Sequence, residues 1–167
     1  MGMSVTISAA TEHDAEQILK LQYLCYQREA AIYGDYTIQP LTQPLDDLRA
    51  ELGQGCVLVA RLGEEVVGSV RGVVDDSGTA AIDKLIVHPR IERHGLGGRL
   101  LAAIEARLAE ERDAKRYRSF TGHRSEGNLR LYRRNGYAQI RTEQVSRGFS
   151  LVLLEKDADA SAYAASA

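Results

Sequence analysis

The chain has 167 residues, enough for one domain built around one core. Apolar residues make up 44% and charged residues 26%, a globular balance, and no apolar run is long enough to span a bilayer. A net charge of only −2 argues against nucleic acid as an obligatory partner, and no secretory signal is visible, so a cytoplasmic location with no membrane partner is expected.

The charge is unevenly spread. Residues 1–87 carry 6 Lys/Arg against 13 Asp/Glu, whereas residues 88–134 carry 12 against 6. Such segregation suits a site that meets an anion on one side and a cation on the other, and equally suits two solvated faces. Cys25 and Cys56 form no C-x-x-C pair and read as free thiols. The four histidines lack metal-ligand spacing, so no metal is expected.

Val5 and Ile7 alternate as a short strand. Thr11, ahead of Ala15, Ile18, Leu21 and Cys25, predicts a capped amphipathic helix, with Asp14 placed for a reciprocal capping bond. Residues 28–43, with Gly34 and Pro40, read as a looser segment, and Pro44 fits the start of a short helix ending near Gly53. Residues 56–62, 66–74 and 79–87 are rich in β-branched residues and separated by turn residues, which predicts a three-stranded meander. Leu96, Leu100, Leu101, Ile104 and Leu108 repeat at helical spacing to about residue 112. A strand near 118–121, a helix beginning after Ser125 and stopping at a Gly136 cap, and strands over 137–143 and 149–155 complete the order. A single domain over residues 1–156 is expected, followed by an Ala/Ser-rich frayed tail over 157–167.

The stretch Val87-His88-Pro89-Arg90-Ile91-Glu92-Arg93-His94-Gly95-Leu96-Gly97-Gly98-Arg99-Leu100-Leu101 runs from strand through a glycine turn into a long helix. The first N–H groups of a helix lack internal partners and the helix dipole favours negative charge there, while glycine lets a bulky anion approach. Arg90, Arg93, His94 and Arg99 are near enough in sequence to offset that charge. A dinucleotide fingerprint would need glycine at Leu100, and a Walker loop would need Gly-Lys-Ser/Thr. Close helix packing explains the three glycines equally well.

The order of elements around this turn resembles the acetyl-CoA-binding motif of the GNAT superfamily of N-acetyltransferases. That resemblance implies that backbone amides of Arg93, His94, Gly95, Leu96, Gly97 and Gly98, with Arg99 beside them, hold the pyrophosphate of CoA. It also implies that Leu85, Ile86 and Val87 line the pantetheine arm. The family usually has Arg or Gln where Glu92 stands; an acidic group there is unfavourable unless it turns away or pairs with a neighbouring arginine.

The segment Ser125-Glu126-Gly127-Asn128-Leu129-Arg130-Leu131-Tyr132-Arg133-Arg134-Asn135-Gly136-Tyr137 resembles the family's later motif. Tyr132 matches the tyrosine that members place near the CoA sulfur, where a hydroxyl can protonate the departing thiolate. A core tyrosine with a satisfied hydroxyl is the alternative. The family's asparagine seven residues before that tyrosine is replaced by Ser125, while Asn128 lies four before it. Either could bond the pantetheine arm, and Ser125 could equally cap the helix. Arg133 and Arg134 could reach the adenosine 3′-phosphate or simply form an exposed face.

Members often use a carboxylate on the strand before the glycine turn as the route for the amine's proton. Two-residue alternation would put Ala81, Asp83, Leu85 and Val87 on one face, making Asp83 the candidate base, with pairing to Lys84 or Arg71 as the other role. Arg28, Glu29, Tyr33, Asp35 and Tyr36 are candidates for the acceptor side. The resemblance, over roughly residues 4–156, implies a mixed α/β fold with a twisted, mostly antiparallel sheet of six or seven strands and about four helices. It implies direct transfer of acetyl from acetyl-CoA to a small-molecule or peptide amine; dimers are common in the family. The alternatives are a non-catalytic acyl-CoA-binding regulator of the same fold and a binding module unrelated to CoA.

Overall fold

A computed structural model describes residues 4–92 and 94–158. Seven strands, β1 (Val5–Ala9), β2 (Cys56–Leu62), β3 (Glu65–Val74), β4 (Thr79–Val87), β5 (Arg116–Gly122), β6 (Ala138–Ser146) and β7 (Phe149–Asp157), form one sheet in the order β1-β2-β3-β4-β5-β7-β6. Only β4 and β5 pair in parallel. Among the described residues five α-helices accompany them: α1 (Ala15–Tyr33), α2 (Gln39–Thr42), α3 (Leu45–Gln54), α4 (Leu96–Arg112) and α5 (Glu126–Arg134). The α/β class and the mixed, largely antiparallel sheet are as expected, with the short α2 as the additional helix. Among the described residues no helix is long and apolar enough to cross a membrane.

Each face of the sheet has its own core. On one, Leu100, Leu101, Ile104 and Leu108 of α4 pack against Val67, Val70 and Ile82. Gly68 and Gly72 on β3 permit that approach: a Cβ at Gly72 would lie 2.5 Å from Leu108 Cδ1. On the other, Ala15 and Ile18 of α1 and Leu48 of α3 cover Val57, Val59 and Ile86. The expected capping bond is present, with the Thr11 N–H donating to Asp14 Oδ2 at 2.7 Å. Arg61 Nη2 donates to the same oxygen at 2.6 Å, tying the start of α1 to β2.

Three expectations change. First, α1 does not loosen at residue 28. No Gly or Pro interrupts it until Gly34, which adopts a left-handed conformation (φ 65°) and donates its N–H to the Ala30 carbonyl. Arg28, Glu29 and Tyr33 therefore stand on a rigid helix. Second, Asp157 completes β7 and Ala158 is buried, so the start of the expected tail belongs to the sheet; residues 159–167 lie outside the described residues.

Third, β4 does not alternate regularly. Ser69 faces Ile86 and Arg71 faces Asp83, so one residue of β3 spans Lys84 and Leu85. Lys84 takes a left-handed conformation, φ 53°, at this bulge. Ala80 and Ile82 before it, and Leu85 and Val87 after it, all pack on the α4 side. Asp83 lies on the α1 side, opposite Arg71, so it does not share a face with Leu85 and Val87.

Candidate active site

Beyond the three pairs Thr79–Arg116, Ala80–Tyr117 and Ala81–Arg118, β4 and β5 have no further ladder contacts. Two cavities open where they part. The larger, about 330 Å³, lies between β4, the head of α4, one face of α5 and the middle of α1. The smaller, about 90 Å³, lies between Asp83, Lys84, the end of β5 and Tyr132. Tyr26, Glu29, Leu85 and Asn128 border both, so the two spaces adjoin across these residues.

The glycine turn forms one wall of the larger cavity. Gly95 precedes α4 with φ 76°, a conformation that side chains with a Cβ adopt only under strain. The first helical bond runs from the Arg99 N–H to the Gly95 carbonyl at 3.1 Å, which leaves the amides of Leu96, Gly97 and Gly98 without helical partners. A Cβ at Gly97 would lie 3.1 Å from Leu131 Cδ2, so this glycine also lets α4 and α5 close on each other. These residues fit an anionic group at the helix head.

The charges around the turn differ from the sequence expectation. Arg93 lies outside the described residues. His94 is exposed and does not border the cavity, and Arg99 turns away to donate to the Val5 carbonyl on β1 at 3.2 Å. Arg90 faces Glu65 at 3.4 Å, and Arg133 donates to Gln139. Among the described residues, the cations that border the cavity are Arg28, Arg130 and Arg134. Arg130 and Arg134 are one helical turn apart, a spacing that could have marked them together in the sequence.

Tyr132 is buried in the gap, its ring edge-on to Tyr137 with centroids 5.0 Å apart. Tyr137 donates to Glu105 Oε2 at 2.8 Å, and Lys156 holds the other oxygen at 2.8 Å, so the support beneath Tyr132 is fixed. Burial pushes the Tyr132 phenol up to about 12; the neighbouring Ser119 side chain opposes the shift, and the charges of Asp83 and Glu105 add to it. Ser125 stands at the N-terminus of α5 without capping it. Its hydroxyl instead lies 2.5 Å from Glu29 Oε2 and 2.9 Å from the Tyr33 hydroxyl.

The family model described as acetyltransferase (GNAT) family matches residues 15–137. The chain belongs to the GNAT acetyltransferase family. GNAT members are acyl-CoA-dependent N-acetyltransferases, and this chain is one of them. No curated protein matches the sequence. Solved structures share the fold at low identity. The PaiA N-acetyltransferase of Thermoplasma acidophilum, in complex with coenzyme A, is 16% identical with a TM-score of 0.76, covering 93% of this chain and 99% of its own. The yncA protein of Salmonella typhimurium, with its cofactor acetyl-CoA, is 19% identical with a TM-score of 0.76, covering 93% and 95%. The ribosomal-protein-alanine N-acetyltransferase of Brucella melitensis is 20% identical with a TM-score of 0.72, covering 91% and 99%.

Within this GNAT fold the acidic residue at the turn has a partner. Arg28 Nη1 lies 3.2 Å from both oxygens of Glu92. The strand edge is also engaged: the Cys25 thiol donates to the Val87 carbonyl at 3.3 Å, and burial raises that thiol to about 12. Ile86 and Leu85 border the larger cavity with Val87.

On the opposite side of the gap, Asp83 is occupied. Its Oδ1 accepts the Lys84 N–H at 2.8 Å and its Oδ2 lies 3.0 Å from Lys84 Nζ. Asp35 and Tyr36 lie past the end of α1, with Asp35 accepting from Thr37, and neither borders the cavities. Tyr26, which the sequence reading passed over, borders both spaces. Burial holds its phenol well above the ordinary tyrosine range, reinforced by Asp83, Tyr132 and Glu29. It lies one turn before Glu29 and Ala30 and two before Tyr33, a helical face that becomes visible once α1 is carried to Gly34.

Proposed function

We propose that the protein transfers acetyl from acetyl-CoA to a primary amine by direct attack of the amine, without a covalent enzyme intermediate. The observation that carries this reading is the junction of two cavities in the β4–β5 gap. The free amides of α4 stand at one end and Tyr132 at the other. Leu96, Gly97 and Gly98 would offer backbone donors to the diphosphate, with Arg130 and Arg134 offsetting its charge. Leu85, Ile86, Asn128 and Ser125 would flank the pantetheine arm. The Val87 carbonyl already accepts the Cys25 thiol, so Leu85 and Ile86 would carry more of that role.

Tyr132 would supply the proton to the departing sulfur. Its raised phenol is protonated throughout the neutral range, so it is available as a donor and not as a base. The acceptor would reach the smaller space from the α1 side, where Glu29 and Asp83 offer carboxylates to an ammonium group. Calorimetric titration with acetyl-CoA, CoA and NADH tests the binding half of this reading. Saturable binding of the first two without the third supports it. Binding of none would leave the glycine turn as packing alone.

A further inference from the structure

We infer that Glu29, rather than Asp83, takes the proton that the acceptor's ammonium group must lose, with Ser125 as the positioning residue that orients its carboxylate. The inference rests on the amine-acetylating reading above.

Glu29 borders both cavities, where they adjoin, and stands on an uninterrupted helix. Its partners form a directed chain. The Arg124 N–H donates to the Tyr33 hydroxyl at 3.0 Å, the Tyr33 and Ser125 hydroxyls are 2.9 Å apart, and the Ser125 hydroxyl donates to Glu29 Oε2 at 2.5 Å. Every donor in the chain then points toward the carboxylate. Glu29 Oε1 has no hydrogen-bond partner among the described residues and remains free for an incoming nitrogen. Gly122 makes room for this chain, because a Cβ there would lie 2.1 Å from the Tyr33 hydroxyl and 2.9 Å from Ser125 Oγ.

Asp83 has no such freedom. Both of its oxygens are engaged by Lys84, and two thirds of its side chain is exposed. Of the other ionisable groups, Tyr26, Asp83, Lys84 and Tyr132 border the smaller cavity with Glu29, Tyr33 joins it through Ser125, and Cys25, Arg28, Glu92, Arg130 and Arg134 border the larger one. Lys84 is paired with Asp83, and Arg28 with Glu92, so neither neutralises Glu29.

The proton balance gives Glu29 a defined task. An ammonium acceptor carries three protons on nitrogen. One stays on the amide, one ends on the CoA thiol by way of Tyr132, and the third must leave before nitrogen has a lone pair for the acetyl carbon. As the new C–N bond forms and the C–S bond breaks, that third proton resides on Glu29 and then passes to solvent. An acceptor that is unprotonated at neutral pH has no third proton to shed.

The test compares two nucleophiles with the parent and Glu29→Gln, following CoA thiol release: n-butylamine, protonated at neutral pH, and hydroxylamine, which is not. The expected result is a fall in kcat/KM of about 100-fold with n-butylamine and a much smaller fall with hydroxylamine. Acetyl-CoA affinity by calorimetry should be unchanged. Ser125→Ala should show the same dependence on the acceptor's basicity, reduced to about tenfold. Equal losses with both nucleophiles would overturn the inference, because a purely structural role does not distinguish them. So would a basicity-dependent loss in Asp83→Asn but not in Glu29→Gln. A parent that acetylates no amine at all removes the proposed function, and this inference with it.

Discussion

Arg28 Nη1 lies 3.2 Å from each carboxylate oxygen of Glu92, joining the middle of α1 to the turn that leads into α4. The pair crosses the rim of the larger cavity, where an unpartnered carboxylate would repel the diphosphate of CoA. It explains how an acidic residue is tolerated beside the proposed anion site.

Arg28→Ala should therefore weaken acetyl-CoA binding. The pair is largely exposed, so the effect is about 1 kcal/mol or less, up to about fivefold in Kd, and smaller at high salt. The double variant Arg28→Ala with Glu92→Ala should recover most of the loss. Calorimetric Kd values at two ionic strengths check both points.

Gly97→Val should reduce acetyl-CoA affinity about tenfold while the protein stays folded. Its side chain would press on Leu131, 3.1 Å from the new Cβ, and crowd the amides at the head of α4. Gly95→Ala acts differently, since the cost is backbone strain of about 1 kcal/mol, read as a lower Tm. Unchanged affinity in a folded Gly97→Val protein would contradict the phosphate cradle.

Tyr132→Phe should lower kcat about 100-fold without changing acetyl-CoA affinity. Burial raises this phenol to about 12, so it keeps its proton as the pH rises through 9 and 10. The parent's kcat should then show no loss attributable to Tyr132 below about pH 11. A pH series of kcat for both proteins checks the assignment.

Asp14 offers a stability test away from the site. Burial pushes its carboxyl up, but Arg61 at 2.6 Å and the Thr11 N–H outweigh that and hold it below the ordinary aspartate range. A carboxyl lowered on folding stabilises above its unfolded value, near pH 4, and loses that contribution as the pH falls through its folded value. Asp14→Asn should cost about 2 kcal/mol at pH 7, with the gap closing toward about pH 2. Denaturant melts at the two pH values measure it.

What could be read from the sequence was local. The glycine turn and the Leu-Tyr-x-x-x-Gly-Tyr helix declare themselves through residues adjacent in the chain. Tyr132 and Gly95 through Gly98 accordingly lie at the gap. The bulge at Lys84 was not legible, because it comes from how β4 pairs with Val70 and its neighbours, and lysine has no preference for a left-handed conformation. Glu29 and Ser125 are 96 residues apart, and only the packing of α1 across the gap joins them. Arg99 was misplaced for the same reason: its partner is the carbonyl of Val5, 94 residues away.

The central claim is tested most directly by incubating the purified protein with acetyl-CoA and a panel of primary amines, following free thiol and the mass of the amine product. Amine-dependent thiol release matched by acetylated product, lost together in Tyr132→Phe, is the predicted result. Thiol release that is independent of amine, or no release with any amine from a protein that binds acetyl-CoA, would contradict it.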